Sequence, residues 1–255
     1  MTSLADTGSI KMREKPRALT RNRQSPTKQA LQIHETVTNA EVPSGLTDAR
    51  TWRSGIAHLK KNDRILARLI DRAGPIKFQP DEDHYEALVG SIIYQQLAGN
   101  AARAILNRFK AIYGGRIPTP EEYLATRTAK LRCSGLSPQK ISYIRDLCKR
   151  LRNKTLDLEK LSGLPDEEAI RELDEVRGIG RWTAEMFLLF MLGRTDVLPV
   201  DDLGVRKAAQ RVYKLRKPPK KEKFDQLAKQ WHPYSSIATL YLWKSMEKPD
   251  TPAKW

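Results

Sequence analysis

Val176, Gly178, Ile179, Gly180, Thr183 and Ala184 follow the order V-x-G-I-G-x-x-T-A, just ahead of an apolar stretch. Such an order reads as one helix ending, a tight glycine turn, and a second helix starting at once. Glycines let the backbone turn sharply and lie flush against another surface. The N–H groups of the turn, with the positive end of the second helix behind them, suit an anion. A nucleic-acid phosphate fits such a place without any base being read. An ordinary helix–turn–helix corner also uses glycine for packing, and a lone G-x-G would not separate the two. The longer pattern favours the phosphate site, with Gly178, Ile179, Gly180, Arg181 and Thr183 as its members. Some twenty residues on, Pro199-Val200-Asp201-Asp202 reads as the start of another helix. One acid there is an expected N-cap, and a second complements the helix dipole. The reading gives the cap to Asp201, which leaves Asp202 in the first turn, free to face outward.

The elements around these residues are helical throughout. Ile56, Leu59, Ile65, Leu66, Leu69 and Ile70 recur at three- and four-residue steps and predict one amphipathic helix, stopped by Gly74-Pro75. Helices are also predicted over residues 85–97, 100–113, 182–192, 201–213, 222–230 and 234–246. Shorter cues open others at Thr119-Pro120, Ser137-Pro138 and Pro165. No run alternates apolar and polar residues, so the fold class read here is all-α. Residues 1–50 hold few large apolar side chains and predict a disordered, weakly basic arm, with residues 51–255 as the helical domain. Such an arm fits a targeting signal, a loose tether to DNA, or neither.

Composition narrows the partners. The formal charge is +16 with a pI near 9.9, and residues 1–50 account for only +3 of it (eight Lys/Arg against five Asp/Glu). A body that positive suits a polyanion, although a merely soluble basic protein has the same charge. Arg206 to Lys229 alone carries ten basic residues against two acids. Cys133 and Cys148 are the only cysteines, too few for a disulfide framework or for the roughly four thiolates of an iron–sulfur cluster. No apolar run reaches transmembrane length and the N-terminus lacks a signal's apolar core, so no membrane partner is expected. The expected location is intracellular: the nucleus in a eukaryote, the cytoplasm or nucleoid in a bacterium.

The stretch 173–190, LDEVRGIGRWTAEMFLLF, resembles the helix–hairpin–helix of the DNA glycosylase superfamily, with the motif spanning about 166–192. The resemblance continues through 196–206, DVLPVDDLGVR, where that superfamily places its catalytic aspartate. Residues 88–104 (LVGSIIYQQLAGNAARA), 131–147 (LRCSGLSPQKISYIRDL) and 231–243 (WHPYSSIATLYLW) are similar to segments of the 3-methyladenine DNA glycosylase II branch, in a short form. The likeness runs over roughly residues 80–247. It implies two helical subdomains flanking an active-site cleft, and a monomer that acts on damaged double-stranded DNA without a cofactor.

The resemblance also assigns roles. Asp202 falls on the catalytic position, beside the sugar, where a fixed anion stabilises oxocarbenium character and orients water. Bifunctional members carry a Schiff-base lysine where Trp182 stands, and an indole forms no imine, so no strand-cutting activity is expected. Trp182 then serves a pocket for an extruded base or, in the plainer alternative, the core; Met186, Phe187 and Leu189 already supply core side chains on its helix. Trp243 matches a pocket position, with Tyr94 and Tyr234 as neighbours. A base alkylated at N3 or N7 is cationic, leaves readily and stacks on aromatic rings. Leu97, with Gln96 beside it, falls on the intercalating position, although a buried Leu at a helix end reads the same way. Ser137, Gln139 and Lys140 are further phosphate candidates. The backbone of Asp174, Val176 and Gly178 is the implied place for a structural monovalent cation. Ser235 stands where relatives often carry arginine, so that contact is not transferred. The β-rich N-terminal domain of longer members has no counterpart in the pattern. A non-catalytic hairpin protein, a glycosylase for deaminated or oxidised bases, and a basic protein–protein scaffold remain the rival readings.

Overall fold

The spacing from Ile56 to Ile70 reads as one helix, but Asp63 divides it. Helix α1 (Ala49–Asn62) ends on Asp63 and α2 (Arg64–Ala73) begins from it. Its Oδ1 accepts the N–H groups of Ile65 and Leu66, both at 2.9 Å. Its Oδ2 accepts Trp231 Nε1 and Gln230 Nε2, each at 3.0 Å, and the Tyr213 hydroxyl. Burying a carboxylate is tolerable only when its oxygens are satisfied, and here five donors do so. Local periodicity cannot show those partners, because three of them lie at the far end of the chain.

The computed structural model describes residues 45–80 and 83–247, which fall within one compact unit, Pro43–Trp255. Most of the arm read over residues 1–50 lies outside the described residues. Leu46 is already buried and donates its N–H to Gly193 O at 2.7 Å, ahead of the Thr51 start read from the pattern.

The next helix, α3 (His84–Tyr94), starts from Asp83, whose Oδ1 accepts Glu86 N–H at 2.8 Å. It stops three residues short of the expected end at Leu97. Helices α4 (Gly99–Ala111), α5 (Pro120–Ala125), α6 (Thr128–Cys133) and α7 (Pro138–Arg152) follow. α5 is opened by a reciprocal capping box between Thr119 and Glu122. α6 is too short to show a period and was not expected. The hairpin helices are α8 (Asp166–Asp174) and α9 (Arg181–Phe190). Then come α10 (Leu203–Val212), α11 (Lys221–Ala228) and α12 (Ser235–Lys244), with single 3-10 turns at Lys160–Gly163 and Lys229–Trp231. Among the described residues there is no strand, so the fold is all-α as expected, and no helix is long and apolar enough to cross a membrane.

Packing partners sort the helices into two groups. α1, α2, α10 and α12 pack on one another, so this group joins residues from early and late in the chain. α3 packs on α4 and α7, and α5 and α6 pack on α7. The α8–α9 pair joins the second group through α3. One continuous apolar core runs beneath both, including Phe109, Tyr123, Leu188, Phe224, Trp231 and Tyr241. Each such side chain withdrawn from water contributes about 1.5–3 kcal/mol before chain entropy is counted.

Candidate active site

Gly178 takes φ +87°, and a Cβ there would collide with the ring of Tyr143 from α7. Both facts demand glycine. Ile179 is buried and its N–H bonds Val176 O at 2.9 Å, so the turn is closed internally. Gly180 is exposed at the start of α9, and no side chain caps that helix. The first-turn N–H groups of α9 therefore have no side-chain cap, which suits a phosphate.

Asp202, and not Asp201, is the N-cap of α10. Its Oδ1 accepts Val205 N–H at 2.6 Å. Its Oδ2 accepts the indole N–H of Trp182 at 2.8 Å. The expected division of labour is thus reversed: Asp201 pairs with Lys221 at the surface, and the capping carboxylate is the one that meets Trp182. Pro199 explains the offset in part, because its carbonyl accepts Asp202 N–H at 3.0 Å and closes a turn before the helix starts. The acid is fixed by a donor on each oxygen, and each oxygen keeps a second lone pair.

Trp182 is 45% exposed, on the first turn of α9. Trp243 lies half-buried on α12, stacked on Phe190 with centroids 5.8 Å apart and planes 18° apart; Phe190 stacks in turn on Phe78. Gly204 lets these groups approach. A Cβ there would fall 2.9 Å from Asp202 Oδ1 and 3.7 Å from Trp243 Nε1. Beside Trp182 opens a cleft of about 600 Å³, lined by Tyr94, Gln95, Tyr143, Gly178, Thr183 and Met186 among others. Asp202, Trp182 and Trp243 thus meet at one place, and Tyr94, 39% exposed, stands on the cleft wall. Tyr234 is elsewhere, at the opposite end of α12 from Trp243. Its ring lies 5.4 Å from that of His58 and packs on Gly55, where a Cβ would be 2.8 Å from Tyr234 Cδ1. It joins α12 to α1 and does not line the cleft.

The other expected DNA contacts divide. Gln96 and Leu97 are exposed beyond the end of α3, Gln96 with φ +57°. Thr183 is buried beneath the cleft. Arg181 is committed within the hairpin pair: its guanidinium grips the Glu167 carboxylate with both terminal nitrogens and donates Nε to Glu185 Oε1 at 3.1 Å. Burial pushes the Glu185 carboxyl up to about 7, against the opposing pull of Arg181. Ser137 caps α7 by accepting Lys140 N–H at 3.1 Å. Gln139 donates to the Tyr143 hydroxyl. The Lys140 ammonium is spent on backbone, donating to Ile93 O at 2.6 Å and Gln95 O at 2.7 Å. Two of its three N–H groups thus serve the end of α3. Two of the carbonyls implied for a cation each accept one hydrogen bond within the chain, which leaves each a second lone pair. Gly178 O faces the Gln95 amide, which donates to it at 2.7 Å, and Val176 O accepts the Ile179 N–H.

Comparison with known proteins agrees with this geometry. The family described as HhH-GPD superfamily base excision DNA repair protein matches residues 89–233, which include the cleft, the hairpin and Asp202.

The chain belongs to the HhH-GPD superfamily.

Among its relatives, DNA-3-methyladenine glycosylase 1 of Schizosaccharomyces pombe is 34% identical over 82% of this chain and 92% of that protein. A second protein of that yeast, an alkylbase DNA glycosidase-like protein, is 31% identical over 73% of this chain and 90% of its own length. Among solved structures, the DNA-3-methyladenine glycosidase of Bacillus halodurans superposes with a TM-score of 0.70 at 36% identity, covering 75% of this chain and 88% of that one. The 3-methyladenine DNA glycosylase of S. pombe in complex with abasic DNA gives 0.63 at 33% identity, covering 75% and 95%. Within the HhH-GPD chain described here, three residues that sequence reasoning passed over matter most: Gln95, Tyr143 and Gly204. Only Gly204 carried a usable signal, a glycine in a helix's first turn two residues after a pair of acids.

Proposed function

We propose that the protein is a monofunctional DNA glycosylase that hydrolyses the N-glycosidic bond of alkylated purines, of the 3-methyladenine and 7-methylguanine type, after turning the damaged nucleotide out of the duplex. One observation carries the reading. A carboxylate is held through both oxygens, one of them by Trp182 on the cleft wall, so the group beside it is an indole where imine chemistry would need an amine. The names of the relatives support alkylated purines as the substrate class.

The chemistry follows from the charges. As the bond from the sugar to the base nitrogen breaks, its electron pair leaves with the base and the sugar gains oxocarbenium character. Asp202, anionic and already oriented, stabilises charge that develops only in the transition state. A preorganised electrostatic partner of this kind is worth about 3–4 kcal/mol, or two to three orders of magnitude in rate. Water then adds to the anomeric carbon, with the carboxylate orienting it and receiving its proton. An alkylated purine starts as a cation and leaves neutral, so no strong general acid is required. Trp182, Trp243 and Tyr94 surround the base with aromatic surface, which favours a cation and tolerates several methylated purines. The open N–H groups at Gly180 hold a phosphate of the same strand. The protein acts as a monomer on genomic duplex DNA, in the nucleus of a eukaryote or the nucleoid of a bacterium.

The test is release of free base from duplexes carrying 3-methyladenine, 7-methylguanine or hypoxanthine. Wild-type protein releases the methylated purines, leaves an uncut abasic strand and forms no borohydride-trapped adduct. Tight DNA binding with no base released sinks the proposal in favour of a non-catalytic hairpin protein.

A further inference from the structure

The last turn of α3 faces a problem that its sequence does not solve. Gln95 leaves helical geometry at ψ 131° and Gln96 follows with φ +57°, so the helix ends and carbonyls near its end lose their helical partners. Lys140 on α7 takes Ile93 O at 2.6 Å and, just past the helix, Gln95 O at 2.7 Å. Burial lowers the proton affinity of that ammonium, and the negative end of α3 is where a cation is best offset. From the same turn, Gln95 Nε2 reaches across to Gly178 O in the hairpin at 2.7 Å. The hairpin closes the circuit, because Gly178 lies against Tyr143, one turn along α7 from Lys140. The end of α3, the hairpin and α7 are therefore tied pairwise into a triangle. None of the three ties touches Asp202. What they hold in place is the exposed tip at Gln96 and Leu97, the latter 38% exposed.

We propose that Gln95, supported by Lys140, is a positioning residue that locks this tip to the hairpin, so that seating a phosphate on the hairpin and driving the tip into the base stack are one rigid-body event. The proposal rests on the glycosylase reading, since a protein that everts a nucleotide must fill the gap it leaves. A tip hinged freely at Gln96 would have to be ordered afresh at each encounter. A locked tip arrives already ordered.

The test uses the full chain and a duplex with an abasic site flanked by 2-aminopurine, whose fluorescence rises when the neighbouring stack is opened. Gln95→Leu keeps the bulk and removes the donor. The expected result is a fluorescence response reduced about fivefold or more, with affinity for undamaged duplex changed by less than about threefold. Base release from methylated duplex at saturating enzyme falls about tenfold, while the half-saturating concentration stays within about threefold. Lys140→Met cuts a different side of the triangle and repeats the test should Gln95→Leu fold poorly; Lys140→Arg, which keeps donors, restores most of the response. A response within about twofold of wild type, or a parallel loss of binding to undamaged duplex, overturns the proposal. The abasic signal needs no catalysis. Wild-type protein that gives the signal, with its Gln95 dependence, but releases no base removes the glycosylase reading and leaves the lock standing.

Discussion

The starts of α9 and α10 face the same electrostatic situation and answer it differently. Both present the positive end of a helix dipole and a turn of unbonded N–H groups. α10 supplies its own anion, with Asp202 capping Val205 N–H at 2.6 Å. α9 begins at exposed Gly180 with no capping side chain. On the function proposed above, the closed start holds a charge for chemistry and the open start leaves its charge for a DNA phosphate. Trp182, on the first turn of the open helix, then donates its indole N–H to the capping acid of the closed one. The two helix starts are thereby tied to each other.

The largest effect comes from removing the charge at the closed start. Asp202→Asn should lower base release by about two to three orders of magnitude, while melting temperature stays nearly unchanged because Asn caps about as well as Asp. Single-turnover release and thermal denaturation read the two halves; a large drop in melting temperature would make the acid structural. The sharpest test of the open start is to close it. Gly180 has φ −102°, and a Cβ there meets only Asp174 Oδ1 at 3.9 Å, so Gly180→Asp has room and sets a second carboxylate beside Asp174. An internal anion at that place should weaken duplex binding about tenfold and reduce the salt dependence by about one phosphate contact, with Gly180→Asn as the uncharged control. Unchanged affinity would show that the turn does not hold a phosphate.

Smaller effects address the link between the two. Trp182→Phe keeps a ring and loses the donor, so release should slow by about tenfold, the worth of a hydrogen bond to a charged acceptor. Equal losses in kcat and in affinity for the methylated base would assign Trp182 to stacking instead. The smallest effect is on stability. Burial raises the Glu185 carboxyl from 4.5 to about 7 in the folded protein. The native state therefore binds more protons than the unfolded chain between those values, and stability must fall as pH rises through that window. Glu185→Gln should flatten this slope, gaining stability above about pH 7 and gaining none below about pH 4.5. Melting curves across pH would show it, and a slope unchanged by the substitution would assign the effect to other groups.

Residues whose role is local were legible in the sequence. Thr119 with Glu122, Ser137 before Pro138 and the glycines of the hairpin each announce a helix boundary within a few positions. Residues whose role depends on a distant partner were not. Asp63 breaks a helix to satisfy Tyr213, Gln230 and Trp231, and no local pattern shows that. The same reason separates Tyr234 from Trp243: one caps the start of α12 and packs on Gly55, and the other, near its end, lies beside Asp202. Arg181 and Lys140 looked available because a sequence shows charge and not its satisfaction; Glu167, Glu185 and two carbonyls at the end of α3 had already claimed them. The swap of Asp201 and Asp202 turned on where a turn closes, a difference of one residue that periodicity does not resolve.

The buried carboxylate between α1 and α2 has a consequence for how the protein is made. A ribosome delivers Asp63 long before Tyr213, Gln230 and Trp231 exist, so during synthesis the early helices carry an acid with its permanent partners still to come. That half of the molecule cannot mature until nearly the whole polypeptide has emerged. The described segment carrying α3 to α7 buries no acid that waits on a late residue, and on the nascent chain it is the part that can assemble first.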